Sequence, residues 1–356
     1  MEIEDRISAF DSLSKYLKEY VSLQTGNFIS HSTEETIFRN LDRAVRQAEL
    51  ENPWFTRENI LLALKNISVS LEKPKIENFT SRYSERLLHS RTSLTIGVVM
   101  AGNIPVVGFH DFFCILLAGH RFLGKLSHED CQLLPAIADI LISINSEFND
   151  LISFTDERLK DFDSIIATGS NNTYRYFEYY FGKYPHILRK NRNGVAILTG
   201  TETKEELSGL ADDVFTFFGK GCRNISKLYL PKGFNFQLFQ EPFSKYSHFF
   251  NHHKYRNNYD YYKAIYLMDK IPFIDMGHLL LIQNREAASP VSVLHYENYD
   301  NLSLLNDILA GMKEQIQCIV CHDVKVSSSI KPGNAQCPEL WDYADGIDTM
   351  EFLLNL

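Results

Sequence analysis

The chain has 356 residues, 44% hydrophobic and 23% charged, the composition of a globular protein with room for two domains of ordinary size. A formal net charge of -9 argues against broad binding to a nucleic-acid backbone, so no nucleic-acid partner is expected. The N-terminus has no basic region followed by an apolar stretch, and the longest apolar runs (112–119 and 278–282) fall short of a membrane span, so a cytoplasmic protein with reduced thiols is expected.

Residues 1 to about 90 are predicted to be mainly helical. The clearest start is Thr56, an N-cap candidate followed by Ile60, Leu61, Leu64 and Ile67 at helical spacing. A buried parallel strand is predicted at 94–100, where a β-branched apolar run is too short for a buried helix. Ala101-Gly-Asn103-Ile-Pro105 reads as a loop, 107–119 as an apolar helix closed by Gly119, 121–127 as a short strand and 130–144 as a helix. A third strand, 164–167, runs into Thr168-Gly169-Ser170-Asn171 and a tyrosine-rich helix over 172–181. Such a turn offers backbone N–H groups to an anion, and reads equally as an ordinary turn capped by Ser170 or Asn171. Strand alternating with helix is the pattern of a doubly wound α/β domain, although no Gly-x-Gly-x-x-Gly fingerprint occurs.

Further on, strand 194–199 and helix 204–218 lead to Gly219, Gly221 and Cys222, after which 226–230 alternates like a strand. Residues 235–265 are polar and aromatic with weak periodicity, and 278–283 returns to strand character. Glu286-Ala-Ala-Ser-Pro290 reads as an acidic loop entering a strand, and 302–315 as a helix. The tail 332–356 ends apolar, which suits docking or an oligomer contact. By its neighbourhood alone Cys222 reads either as a small buried hydrophobe or as a nucleophile. Cys318 and Cys321 lie in a run that reads as a buried strand, where their spacing sets them on opposite faces and argues against a metal site. Adjacent His252 and His253 are also poorly placed to share a metal; that stretch reads as an exposed loop or amphipathic helix.

In order, Asn103-Ile-Pro105, Lys125-Leu-Ser127, Thr168-Gly-Ser170, Gly221-Cys222 and Glu286-x-x-Ser-Pro-Val291 resemble the landmarks of the aldehyde dehydrogenase superfamily. Within it the chain looks most like the acyl-CoA reductase branch that includes the long-chain fatty-acid reductase subunit of bacterial bioluminescence. The resemblance covers 94 to about 294 and implies an α/β, aldehyde-dehydrogenase-like fold. A doubly wound nucleotide-binding domain with the helical N-terminus (1–193) and a smaller α/β catalytic domain (194–325) would face each other across a cleft, with 326–356 as a docking or oligomer tail. Cys222 would be the nucleophile that forms a thioester with the acyl group. Asn103 would donate its amide to the oxyanion together with the Cys222 N–H, a type of contact that contributes on the order of 3 kcal/mol; alone, Asn103 reads as a turn residue. Lys125 and Ser127 would hold the adenosine ribose or its phosphate, Thr168, Gly169 and Ser170 the pyrophosphate, and Glu286 the nicotinamide ribose.

Two departures from the family pattern carry information. Many NAD-using relatives have a glutamate three residues after the lysine, where this chain has His128; without that carboxylate a 2′-phosphate is not repelled, so NADPH is expected over NADH. Hydrolytic members carry a Glu-Leu-Gly-Gly segment near Lys190-Asn-Arg-Asn193-Gly194, whereas no carboxylate occurs here between Pro185 and Thr201. Without that base the thioester should be reduced or exchanged with a thiol, not hydrolysed. The resemblance thus implies reduction of an acyl-CoA or acyl-carrier thioester to an aldehyde. The alternatives are a CoA-acylating dehydrogenase running oxidatively on short aldehydes and a non-catalytic binding protein on the same fold. A homo-oligomer and an acyl-transferring partner protein are in keeping with the family.

Overall fold

The apolar run after residue 94 becomes the centre of a parallel sheet. In the computed structural model, which describes residues 1–26, 35–88, 92–323, 326 and 328–356, the chain divides into one unit of Met1–Lys190 with Glu339–Leu356 and a second of Asn191–Pro338. The sequence reading set these boundaries at 193/194 and 325/326, the latter beside residues 324 and 325, which lie outside the described ones.

The first unit opens with helices α1 (Ile3–Gln24), α2 (Glu35–Glu51), α3 (Arg57–Ser70), α4 (Lys73–Ser81) and α5 (Ser84–Leu87). Thr56 caps α3 as expected, its hydroxyl accepting from the Asn59 N–H at 3.3 Å. There follow β1 (Thr95–Val99), α6 (Phe109–Ala118), β2 (Arg121–Lys125), α7 (Leu133–Ile144), β3 (Ile152–Thr155), β4 (Ser164–Thr168), α8 (Asn171–Phe181) and β5 (His186–Arg189). The strands are parallel in the order β3-β2-β1-β4-β5. From β1 the chain winds outward through β2 to β3, and then resumes on the other side of β1 at β4. With right-handed crossovers this sends α6 and α7 to one face and α8 to the other, and opens a crevice at the carboxyl ends of β1 and β4. The edge strands β3 and β5 were not anticipated from the sequence.

The second unit contains β6 (Asn193–Ile197), α9 (Lys204–Phe215), β7 (Ile225–Pro231), α10 (Gln240–Ser244), α11 (His253–Met268), β8 (Phe273–Asp275), β9 (Leu280–Gln283), β10 (Val293–Tyr299), α12 (Leu302–Gly311) and β11 (Ile316–Val320). Strand order is β11-β6-β7-β10-β9-β8, parallel except for the antiparallel edge strand β8. Helix α11 occupies much of the stretch that reads as weakly periodic. Its packing stripe is Tyr255, Tyr259, Tyr262 and Tyr266, of which Tyr255 and Tyr259 are buried.

The chain then returns to the first unit in α13 (Thr349–Leu354), where Met350, Leu353 and Leu354 are buried in its core. Each such side chain contributes about 1.5–3 kcal/mol, so the apolar end of the tail is docked. A hydrogen bond ties this segment to the sheet: buried Arg189 on β5, ion-paired with both Asp111 oxygens on α6 at 2.6 and 2.8 Å, also donates to Thr349 Oγ1 at 3.0 Å. No helix among the described residues is long and apolar enough to cross a membrane.

Asp111→Ala leaves a guanidinium buried without its counter-ion and should cost about 3–5 kcal/mol. The double variant Asp111→Leu/Arg189→Met should recover most of that loss. Urea unfolding of the three proteins checks both statements.

Candidate functional site

In the first unit, parallel strand polarity gathers the candidates at one edge. Val99 of β1 pairs with Lys125 of β2 and with Ala167 of β4, so Lys125 and Thr168 close their strands at the edge where Asn103 follows β1. Topology thus brings together residues far apart in sequence.

The Asn103 loop lies against the turn that follows Lys125. A Cβ on Gly102 would collide with Ser127 Oγ and come within 3.0 Å of Glu129 Cβ, so only glycine admits this approach. Met100 N–H donates to the Lys125 carbonyl at 3.2 Å. Val106, in left-handed φ 58, donates its N–H at 2.7 Å to buried Asp130, whose carboxyl is pushed up to about 6 by burial. Asn103 itself is half-buried.

Lys125 Nζ donates at 2.8 Å to the carbonyls of both Asp156 and Glu157, just past β3. Ser127 Oγ accepts from the Glu129 N–H at 3.2 Å, and His128 is exposed. Ser170, and not Asn171, caps α8: its hydroxyl accepts from the Thr173 N–H at 3.2 Å. At Gly169 a Cβ would meet Phe177 at 2.8 Å and Thr173 at 3.0 Å, so glycine lets the strand pass directly under the first turn of α8. The edge therefore presents a cation and a helix N-terminus at the switch point, a setting suited to an anionic ligand.

In the second unit Cys222 sits at the amino end of β7 and is half-buried. The preceding helix ends at Phe215, earlier than the sequence reading had it. Phe217 (φ 55), Phe218 (φ 58) and Gly219 (φ 74) then run in the left-handed region. Such conformations cost about 1–2 kcal/mol per non-glycine residue, so the surroundings must hold them. Phe217 and Phe218 are both buried, and the Phe218 ring packs 4.4 Å from Phe249 and 4.5 Å from His252, centroid to centroid.

Asn224 completes the arrangement. Its buried Nδ2 donates to the carbonyls of Asp213 at 3.0 Å and Thr216 at 2.9 Å, groups left without helical partners at the end of α9. Its Oδ1 accepts from the Gly221 N–H at 2.8 Å, and its own N–H donates to the Gly221 carbonyl at 3.0 Å. Cys222 and Arg223 are thereby the two central residues of a turn pinned at both ends. From below, Asp213 accepts from Gly333 and Ala335 N–H at 2.7 and 2.9 Å, and Arg223 Nε donates to the Ala335 carbonyl at 2.6 Å. Burial pushes the Asp213 carboxyl up to about 6 against those two hydrogen bonds.

Glu286 lies on the loop 284–292 between β9 and β10, parallel neighbours joined without a helix. The loop must run back over the sheet, and it does so beside β7: Ser226 Oγ donates to the Ala287 carbonyl and Lys227 Nζ to the Arg285 carbonyl, both at 2.6 Å. Cys222 and Glu286 are thus both associated with the amino half of β7, whereas Asn103, Lys125, Ser127, Thr168, Gly169 and Ser170 belong to the other unit. Asn224, Asp213, Lys227 and Asp130 escaped the sequence reading; for Asn224 the available signal was an asparagine three residues after a turn glycine. Among the described residues no group of three or more His, Cys, Asp or Glu is placed to hold a metal ion, and His252 instead caps α11.

The sequence matches no family model and none of the curated proteins. Solved structures that resemble the chain include aldehyde dehydrogenases, at low identity. Aldehyde dehydrogenase 21 from Physcomitrella patens, in complex with its reaction product succinate, aligns with a TM-score of 0.63 at 11% identity, over 100% of this chain and 84% of that one. An indole-3-acetaldehyde dehydrogenase complexed with NAD+ gives 0.58 at 11%, over 91% and 77% of the two chains. An NADP-dependent enzyme of E. coli gives 0.56 at 13%, over 92% and 79%. The expected fold class, α/β and aldehyde-dehydrogenase-like, is borne out.

Two outcomes check this geometry. Asn224→Ala strands buried carbonyls and should cost about 1–3 kcal/mol, with faster labelling of Cys222 by a thiol reagent than in the wild type. Asp213 keeps its proton in the folded state at pH values where the unfolded chain has lost it, so its contribution to stability falls as pH rises from about 4 to about 6. Urea unfolding at several pH values should show that Asp213→Asn removes this part of the slope.

Proposed function

We propose that the protein reduces an acyl thioester, carried by CoA or an acyl carrier, to an aldehyde with NADPH, through an acyl group held on Cys222. The observation that carries this reading is the Cys222 turn: a half-buried thiol in a backbone fixed by Asn224 and by left-handed, aromatic-anchored residues before it. Strain of this kind concentrates at functional sites because the surroundings must be organised to hold it.

In the proposed reaction the Cys222 thiolate attacks the thioester carbonyl carbon, its C–S bond forms, and the donor thiolate leaves and takes up a proton. The Cys222 N–H would stabilise the oxyanion, and the family resemblance assigns the Asn103 amide the same role. NADPH, when bound, would supply the hydride for the acyl carbon, and Cys222 would leave as thiolate as the aldehyde is released. Retention of the thioester until that step is supported by the surroundings of β6. No carboxylate occurs between Pro185 and Thr201, and the next one, Glu202, is turned back onto the N–H groups of Thr199 and Gly200.

The residues present fit a dinucleotide. Lys125 and the N-terminus of α8 stand at the carboxyl edge of the parallel sheet, where phosphate charge is stabilised, and Gly169 permits the close packing that places that helix. Lys125 and Ser127 would meet the adenosine ribose and its 2′-phosphate, Thr168, Gly169 and Ser170 the pyrophosphate, and Glu286 the nicotinamide ribose. The similar folds include both an NADP-dependent enzyme and NAD+ complexes, in keeping with a nicotinamide cofactor.

The test is incubation with acyl-CoA of varied chain length and NADPH, following loss of reduced cofactor together with the mass of the protein. An acyl adduct absent from Cys222→Ala is the expected result; no adduct with any chain length or carrier, or an adduct that survives the substitution, would sink the proposal. Lys125→Met should weaken NADPH binding by about tenfold, roughly 1.4 kcal/mol, and NADH binding less, measured by fluorescence titration.

A further inference from the structure

Three consecutive carbonyls of the β9–β10 loop are each captured by a side chain of the sheet beneath. Arg285 O accepts from Lys227 Nζ at 2.6 Å, Glu286 O lies 3.0 Å from His295 Nδ1, and Ala287 O accepts from Ser226 Oγ at 2.6 Å. Register explains the convergence. Lys227 of β7 and His295 of β10 are paired residues on neighbouring strands and share a face. The β6–β7 pairing slips between Gly194 and Val195, which pair with Ile225 and Lys227, so Ser226 is the extra residue of a bulge and is re-aimed toward the same loop. Burial holds the His295 pKa down, so the ring is neutral and carries its proton on Nδ1, the atom that donates.

Lys227 is the unusual member. Its side chain is fully buried, and its carboxylate partner, Glu297 at 2.7 Å, is about a third exposed. A buried ammonium is a weak source of stability, because desolvation offsets much of the attraction, and an apolar residue of similar volume does as well or better. What an apolar side chain cannot do is donate to the Arg285 carbonyl.

We infer that Lys227 is a positioning residue: its ammonium, with Ser226 and His295, clamps the backbone of residues 285–287 and so sets where the Glu286 carboxylate stands. The inference rests on the reading that Glu286 holds the cofactor's ribose. Lys227 then acts on cofactor binding through the loop, and leaves acyl transfer to Cys222 untouched, although both depend on β7.

The experiment compares full-length wild type, Lys227→Met, Lys227→Arg and Glu286→Gln. Three readouts are taken: amide hydrogen exchange of 284–288, the dissociation constant for NADPH by fluorescence, and the rate of acyl-adduct formation without cofactor. Methionine fills the buried volume, so the fold should survive. Lys227→Met should speed exchange at 284–288 and raise the NADPH dissociation constant by about tenfold, with adduct formation unchanged. Lys227→Arg should restore part of both, and Glu286→Gln should weaken NADPH binding without altering exchange. Unchanged exchange in Lys227→Met overturns the clamp, as does faster exchange spread over the whole 191–338 unit, or an altered loop with unaltered NADPH binding. Failure of the wild type to form an adduct would instead count against the acyl-thioester reading, while exchange and NADPH binding still decide on the clamp.

Discussion

One carboxamide holds the candidate catalytic turn together. Asn224 answers the carbonyls that α9 leaves open at its end and, with its other atom, fixes Gly221, so helix, turn and strand β7 meet in a single buried side chain. A helix running on past Phe215 would satisfy those carbonyls itself, and the chain would then enter β7 from another direction. Phe217 and Phe218 can be left-handed because their rings are buried, and their strain is what turns the chain sharply enough to bring Cys222 to the strand end.

The second constraint is strand polarity. In a parallel sheet wound in both directions from β1, every strand delivers its following loop to the same edge, which is why Asn103, Lys125 and Thr168 share it although they are spread along the sequence. Close contacts then sharpen the grouping: Gly102 against Ser127, and Val106 against Asp130, join the first two loops into one body. In the second unit the short return between β9 and β10 achieves a related end. Lacking a crossover helix, it lies on the sheet and takes its hydrogen bonds from β7 and β10.

Much of this was legible in the sequence, and the failures have common causes. Central strands β1, β4 and β6 are covered on both faces and so appear as continuous apolar runs, while Thr56 and Gly119 announce a helix start and a helix end by local chemistry alone. Edge strands β3 and β5 carry mixed polar residues, and Arg189 belongs in the core only because Asp111 on α6 pairs with it. Helix α11 escaped because its packing stripe is built from tyrosines in a polar sequence. The candidate residues were found as an ordered set of short motifs resembling a family. Their supports, Asn224, Asp213, Asp130 and Lys227, could not be found that way, since each acts through a backbone group distant in sequence.

The central claim is that a thioester on Cys222 waits for hydride and not for water. It is tested by isolating the acylated protein without cofactor, mixing it with NADPH or with buffer, and identifying the product. Aldehyde formed in proportion to NADPH consumed, with a stable adduct in buffer, is the predicted result. Release of free acid from the adduct at a comparable rate in buffer alone would contradict it.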